Sequence, residues 1–430
     1  QNAWGMQIRN SILNTQAPNT GFLVIAPDRG FVGNNETLSV FQKFKKEYLA
    51  NIIFIGRKYD GINSNYSEYI QKALSDFDAL SISDIVVIPL FLSNHNHILQ
   101  AVKKNFSSYN FKARIHWNES ISNSYLAKQI LLDRVKKIST RPNREKLIIL
   151  GRGATDENSE ALMKNEMKEF TNYISQRMAF KNIQIGIYYS YNAKDKVRTL
   201  KENEVDDMVI HTAAKKGNTL VIPFFIGPKY SNMMSLTHFF DRKFQDIDIT
   251  HNSEEITLHP NVLLWMKKSA NKYIPLSNSE PIGVVIMPHG ATKPYNDAVE
   301  KTIEPLKGKY KVEMAYGMGD AITIQNAFSK LEQQGVKKII FVRMYPTSDH
   351  LKEKTDYILG LSQKIPEQWD GLISPQIRSS AIIDTFGGYE EDNLIAEIYL
   401  ERIKEISKKP AEETIVLLAH GSSDDQLEIL

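Results

Sequence analysis

Four short segments of this chain repeat one another, and that self-similarity limits the possible fold more than any other feature. FLVIAPDRG (22–30), LIILGRGAT (147–155), VVIMPHGAT (284–292) and IVLLAHGSS (415–423) each run an apolar strand into a turn with glycine and a basic or imidazole residue. Aligned on Arg29, Arg152, His289 and His420, they recur roughly every 130 residues. A period of that length is a whole domain, so the pattern is tandem duplication rather than a solenoid. A second echo lies inside the repeats: DIVVIPLFLSNHNH (84–97), NTLVIPFFIGPKYS (218–231) and KKIIFVRMYPTSDH (337–350). Aligning Pro89, Pro223 and Val342 places His97, Ser231 and His350 at one common offset.

These strands are apolar and β-branched with little alternation, as in parallel strands covered on both faces. Apolar residues at helical spacing fill 157–178, 320–334 and 388–408. Strands alternating with helices predict βαβ units with right-handed crossovers. The expected fold class is therefore α/β: repeated Rossmann-like lobes, each a parallel sheet flanked by helices, paired around a cleft. The expected lobes are 1–140, 141–278 and 279–412, with 413–430 as the start of a fourth, incomplete lobe. The polar, proline-bearing IPLSNSEP (274–281) marks the break before repeat three.

Composition removes several function classes. The 430 residues are 42% hydrophobic, enough to fill sizeable cores. Lys+Arg 53 against Asp+Glu 50 gives +3 with the signs interspersed, so no nucleic-acid partner is expected. Apolar runs such as TLVIPFFIG (219–227) fall far short of the ~20 residues of a membrane span, and none is expected. The absence of cysteine excludes disulfides, thiolate metal sites and a catalytic thiol. The start at Gln1 rather than Met gives the expectation of an exported or periplasmic protein, with the cytoplasm as the alternative. YGMGDA (316–321) lacks the third glycine of a dinucleotide fingerprint, and no Walker A pattern is present, so no nucleotide is expected.

Ligands in open α/β sheets bind beyond the carboxyl ends of the strands. His289 directly follows the first strand of repeat three, and His350 lies a few residues past another strand of the same repeat. Both project towards one rim. Two imidazoles there suit a divalent ion such as cobalt, iron or nickel, and a neutral imidazole also accepts a proton. The alternative is that each histidine caps a helix or bonds to a loop. Repeat one carries Asp28 and Arg29 at the first position and His95 and His97 at the second. His-Asn-His places both imidazoles on one side if the segment is extended, as a metal site or a polar loop. Repeat two has Arg152 and Ser231, a structural or substrate-anchoring set.

The turns VIMPHGAT and VLLAHGSS, the strand PLFLSNHNH and the helix-to-strand link GVKK at 335–338 resemble class II tetrapyrrole chelatases, the sirohydrochlorin cobaltochelatases and ferrochelatases. The resemblance implies two Rossmann-like lobes flanking a cleft that holds a flat tetrapyrrole. It implies insertion of a divalent metal that is itself a substrate, without nucleotide. His289 and His350 match the family's metal-binding and proton-abstracting histidines. His97 matches the second position in repeat one and His420 the first in repeat four, and His95 joins the metal-binding set. Lys293, Arg343 and Lys352 would meet the carboxylate arms, as would Arg29 and Arg152 in the other repeats. A family glutamate falls about at Met318, with Glu313 and Asp320 as nearby substitutes. The competing expectation is a non-catalytic tetrapyrrole or metal carrier, or an assembly protein, derived from a duplicated chelatase. A homo-oligomer would supply a wall missing from the incomplete lobe.

Overall fold

The computed structural model describes residues 20–56, 63–226, 236–254, 256–274, 281–366, 373–389 and 392–418. Among these residues, twelve strands form three four-stranded, wholly parallel sheets. The first holds β1 (Thr20–Pro27), β2 (Ala50–Ile55), β3 (Asp84–Pro89) and β4 (Arg114–Trp117) in the order β2-β1-β3-β4. The second holds β5 (Lys146–Ala154), β6 (Asn182–Tyr189), β7 (Thr219–Pro223) and β8 (Thr250–His251) in the order β6-β5-β7-β8. The third holds β9 (Ile282–Met287), β10 (Lys311–Met314), β11 (Lys338–Arg343) and β12 (Ile382–Gly387) in the order β10-β9-β11-β12. The three orders are the same, and they carry the repeated α/β lobes that the strand motifs predict. In each sheet the order reverses between the first and third strands, the switch point where such folds open a crevice.

The first lobe contributes α1 (Gly30–Lys45), α2 (Asn65–Ala79), α3 (His97–Asn105) and α4 (Tyr125–Ile138). The second contributes α5 (Glu157–Ser175), α6 (Asp195–Ala213), α7 (Leu236–Lys243) and α8 (Pro260–Asn271). The third contributes α9 (Lys293–Lys307), α10 (Ala321–Gln333), α11 (Lys352–Ile358) and α12 (Asn393–Ile406). Successive strand residues face opposite ways, so each central strand feeds two cores. In β1, Leu23 and Ile25 join a core confined to the first lobe. Phe22, Val24 and Ala26 join a larger core that also contains Leu147, Ile149, Phe170 and Trp265 of the second lobe.

That shared core is how the first two lobes pair. α4 packs on α8 and α5, and α8 packs on α1. Since α1 corresponds to α5 and α4 to α8, the contacts are reciprocal, as across a two-fold axis. Asn261 is fully buried at this seam, and its side-chain amide donates to Leu126 O at 2.9 Å and Gln129 Oε1 at 3.0 Å. In the third lobe the helix equivalent to α4 is α12, which buries no residue. Ile415–Leu418, expected to open a fourth lobe as a strand, is irregular and exposed and pairs with no sheet among the described residues.

The third lobe docks through the segment before β12. Gln129 Nε2 donates to Gln376 O at 2.8 Å, Asn271 Nδ2 to Ser380 O at 2.9 Å, and Arg378 pairs with Asp133 at 2.5 Å. Lys268 Nζ donates to Ala381 O at 2.9 Å, and burial at this contact brings its pKa down to about 8. The folded chain then releases this proton near pH 8, while the unfolded chain keeps it to about 10.5. Between those values the unfolded state binds more protons, so this lysine makes stability rise with pH. Denaturant titrations at pH 7.5 and 9.5 should show a larger pH-dependent gain for the wild type than for Lys268→Met. Equal gains would refute the lowered pKa.

Candidate functional site

The sharpest concentration of chemistry lies at the switch point of the third sheet. β9 ends at Met287, and the chain turns through Gly290, whose φ of +76° is one that residues with a side chain rarely adopt. The turn holds His289 exposed at the crevice, and Gly317 N donates to His289 O at 3.2 Å, tying it to the loop after β10. The ring Nδ1 donates to Gly290 O at 2.7 Å. A carbonyl only accepts, so Nδ1 carries the proton and Nε2 keeps its lone pair.

His350 reaches the same crevice from the loop after β11, half-buried and 4.8 Å from the Tyr345 ring, centroid to centroid. Burial lowers its pKa, and the charge of neighbouring His289 lowers it further. The structure thus brings together the two histidines singled out in the sequence, and it favours a neutral imidazole at His350. No cluster of three or more His, Asp or Glu side chains suited to a metal occurs among the described residues.

The other expected residues are placed as follows. Lys293 and Lys352 start α9 and α11, each paired one turn on, with Asp297 and Asp356 respectively, at 2.6 Å. Arg343 is only 2% exposed. Its Nη2 donates to Ser348 O at 3.1 Å, and its side chain lies against Gly387, so it braces the loop that presents His350 from beneath. Burial lowers its pKa. Glu313 pairs with Lys330 at 3.2 Å, and Asp320 caps α10 by accepting from Ile322 N and Thr323 N. Both carboxylates are engaged away from the histidines. His420 lies outside the described residues.

The first two lobes close around a cleft of about 410 Å³ at their facing switch points. Asp28, Arg29, Tyr66 and His97 line it from one lobe, and Arg152 and Tyr191 from the other. His97 Nδ1 donates to Gly153 O at 3.2 Å, leaving a buried Nε2 with no hydrogen-bond partner among the described residues. Gly153 has φ +135°, and a β-carbon there would fall 2.9 Å from the Asn96 side chain, so glycine permits this approach. Burial lowers the pKa of His97, and the charge of Arg29 adds to the effect.

The His-Asn-His segment is a turn running into a helix rather than a strand, which corrects the expected placement of His95 beside His97. Asn96 caps α3 by accepting from Ile98 N at 3.0 Å, so His97 is the first helical residue. His95 sits in the preceding turn and does not line the cleft. An asparagine between two histidines signals a helix cap as readily as a strand. Tyr66, Tyr191 and Tyr345 escaped the sequence reading. Tyr191 and Tyr345 follow apolar strands closely, the one signal that could have marked them.

No protein-family profile matches the chain. A sirohydrochlorin cobaltochelatase from Methanococcoides burtonii is 31% identical over 136 residues, 30% of this chain and 98% of that protein. SirB from Bacillus subtilis with Fe3+ aligns with TM-score 0.43 at 16% identity, over 59% of this chain and 96% of that one. The sirohydrochlorin chelatase SirB from Bacillus subtilis subspecies spizizenii in complex with cobalt aligns with TM-score 0.40 at 15% identity, over 57% and 91%.

Proposed function

Because the chain belongs to the class II chelatase family, we propose that it inserts a divalent metal, cobalt, iron or nickel, into sirohydrochlorin or a related macrocycle, and that the third lobe carries the chemistry. The observation that supports this reading is the pair of histidines flanking one switch point, His289 after β9 and His350 after β11. A metal that must leave is better held weakly than in a closed site. Two imidazoles leave coordination positions for water and then for the ring nitrogens.

Insertion also requires the two pyrrole N–H protons to go elsewhere. A neutral imidazole placed against the ring accepts one, and solvent at the open crevice takes it on. His289 offers Nε2 for either role. His350, held neutral by its surroundings, can serve beside it. Lys293 and Lys352 stand at helix N-termini, where the backbone also favours anions, and would receive carboxylate arms by leaving Asp297 and Asp356. Arg343 acts as a positioning residue for the loop of His350.

An absorbance time course with sirohydrochlorin and Co²⁺ tests the reading. Conversion to the metallated spectrum faster than in buffer is the expected result. A stable bound-ligand spectrum without metallation would replace the chelatase with a carrier. The pH profile adds a second test. Protonation removes the imidazole lone pair, so kcat/KM should fall on acidification. For His350 that limb should lie below 6.5, the ordinary imidazole value. A limb centred above 6.5 in the wild type would count against His350 as the titrating group.

A further inference from the structure

Two loops carry the histidine pair, and one short helix steadies both. His350 leads into α11 through Leu351, which is left-handed at φ +56°. A leucine rarely adopts that conformation, so the turn is held by its surroundings. Thr355 N and Oγ1 both donate to Leu351 O at 2.9 Å, fixing the turn to the helix. On the other side, Lys354 Nζ donates to Met318 O at 3.2 Å. Met318 adjoins Gly317, whose N–H holds His289 O at 3.2 Å. With 7 residues, α11 is about 10 Å long, a single rigid piece.

The far end of α11 is gripped from the second lobe. Arg177, just past α5, donates from Nη2 to the hydroxyl of Tyr357, a residue only 1% exposed. Its Nη1 donates to Tyr173 O at 2.8 Å, and its guanidinium lies 3.4 Å from the centroid of the Tyr173 ring. α5 is itself a firm base. It buries Met163, Met167, Phe170, Tyr173 and Ile174, and Glu166 accepts from Asn94 N of the first lobe at 3.0 Å. No carboxylate pairs with Arg177 among the described residues, and burial lowers its pKa. A half-buried cation without an acid is a costly contact between lobes, unlike Arg378 with Asp133. What it gains is a directional bond to the helix that steadies the histidines.

We infer that Arg177 is a positioning residue for the third-lobe site: by holding Tyr357 it fixes α11, and through α11 the spacing of His289 and His350. The second lobe, with Arg152 and Ser231 in place of a histidine pair, then serves as the mount for the pair in the next lobe. What the pair does rests on the chelatase reading; that Arg177 sets its geometry rests on these contacts alone. A displacement of about 1 Å in a reacting group costs up to about 100-fold in rate, so a distant bond that prevents it matters to turnover.

Co²⁺ insertion into sirohydrochlorin, followed on the full chain, tests this. Arg177→Met should lower kcat about tenfold and leave KM for sirohydrochlorin within about twofold. Tyr357→Phe should give a similar loss, and the double variant no more than either, since each removes the same bond. Arg177→Lys, which keeps a charged donor but not the fork, should recover part of the rate. Asn271→Ala is the control. It removes another contact to the same lobe, Asn271 Nδ2 to Ser380 O, away from α11. It should lower the melting temperature and leave kcat unchanged. Isotope-labelled histidine gives a readout without turnover. The ring signals of His289 and His350 by NMR, assigned with their alanine variants, should both shift in Arg177→Met and stay in place in Asn271→Ala. An unchanged kcat or unmoved ring signals in folded Arg177→Met, an equal loss of kcat in Asn271→Ala, or additive losses in the double variant would overturn the inference. Shifted ring signals in a chain that never inserts the metal sink the chelatase reading alone.

Discussion

His289→Ala and His350→Ala together are expected to lower metal insertion by about 10²–10⁴-fold, the usual worth of a positioned acid–base group. The two rings flank one switch point, and the charge of His289 adds to burial in lowering the affinity of His350 for a proton, so they act as a unit. Such pairs are strongly non-additive, and each single variant should cost nearly as much as the double. His289 is exposed, so its loss should change stability by no more than about 0.5 kcal/mol. Melting temperature and turnover measured on the same samples separate the two effects. An intact rate in the double variant would move the chemistry out of the third lobe.

Gly360→Ala is expected to loosen the third lobe from the first. Gly360 closes α11 with φ +72°, its N–H bonded to Tyr357 O at 3.0 Å and the next N–H, of Leu361, to Asp356 O at 2.8 Å. This is the Schellman arrangement, in which the left-handed residue is normally glycine. It also lies against α4: a β-carbon at 360 would collide with the Tyr125 ring, which is only 4% exposed. The left-handed conformation costs alanine about 1–2 kcal/mol, and the collision adds about 1–3 kcal/mol. Gly335 is the control. It follows α10 with φ +82°, and no atom of the described residues lies within 4 Å of an added β-carbon. Gly335→Ala should lose only the conformational part. Denaturant titration should show the larger loss at 360, with earlier proteolytic cleavage of the third lobe. Equal losses would mean that the Tyr125 contact is not tight.

The sheets were legible because parallel strands are covered on both faces. VVIM and LIIL stand out as unbroken apolar runs, and the turn after each carries the repeat signature. The histidine pair was legible for the same reason, since position past a strand end fixes the rim a residue reaches. Distant contacts were not. Arg343 looks like any basic residue after a strand, yet Gly387, over forty positions on, leaves room for it to lie buried under a loop. Asp320 could ligate by composition, but two backbone N–H groups claim it as a cap. The pairing of α4 with α8 is invisible to periodicity. An amphipathic helix announces a buried face without naming the partner, and α12, with a comparable run of apolar residues, buries nothing.

The reciprocal packing of the first two lobes sets a schedule for synthesis. α4 leaves the ribosome long before α8, the helix that completes its cover, since Asn261 is 135 residues beyond its partner Leu126. At about 5–20 residues per second, the apolar side of the first lobe waits roughly ten seconds for its mate. The Tyr48 hydroxyl waits longer still for Asn271, 223 residues downstream. A nascent chain halted in that interval would present a half-finished core to its surroundings, the state that holdase chaperones bind. Codons that slow translation between α4 and α8 should therefore lower the yield of this protein more than the same codons placed after the second lobe is complete.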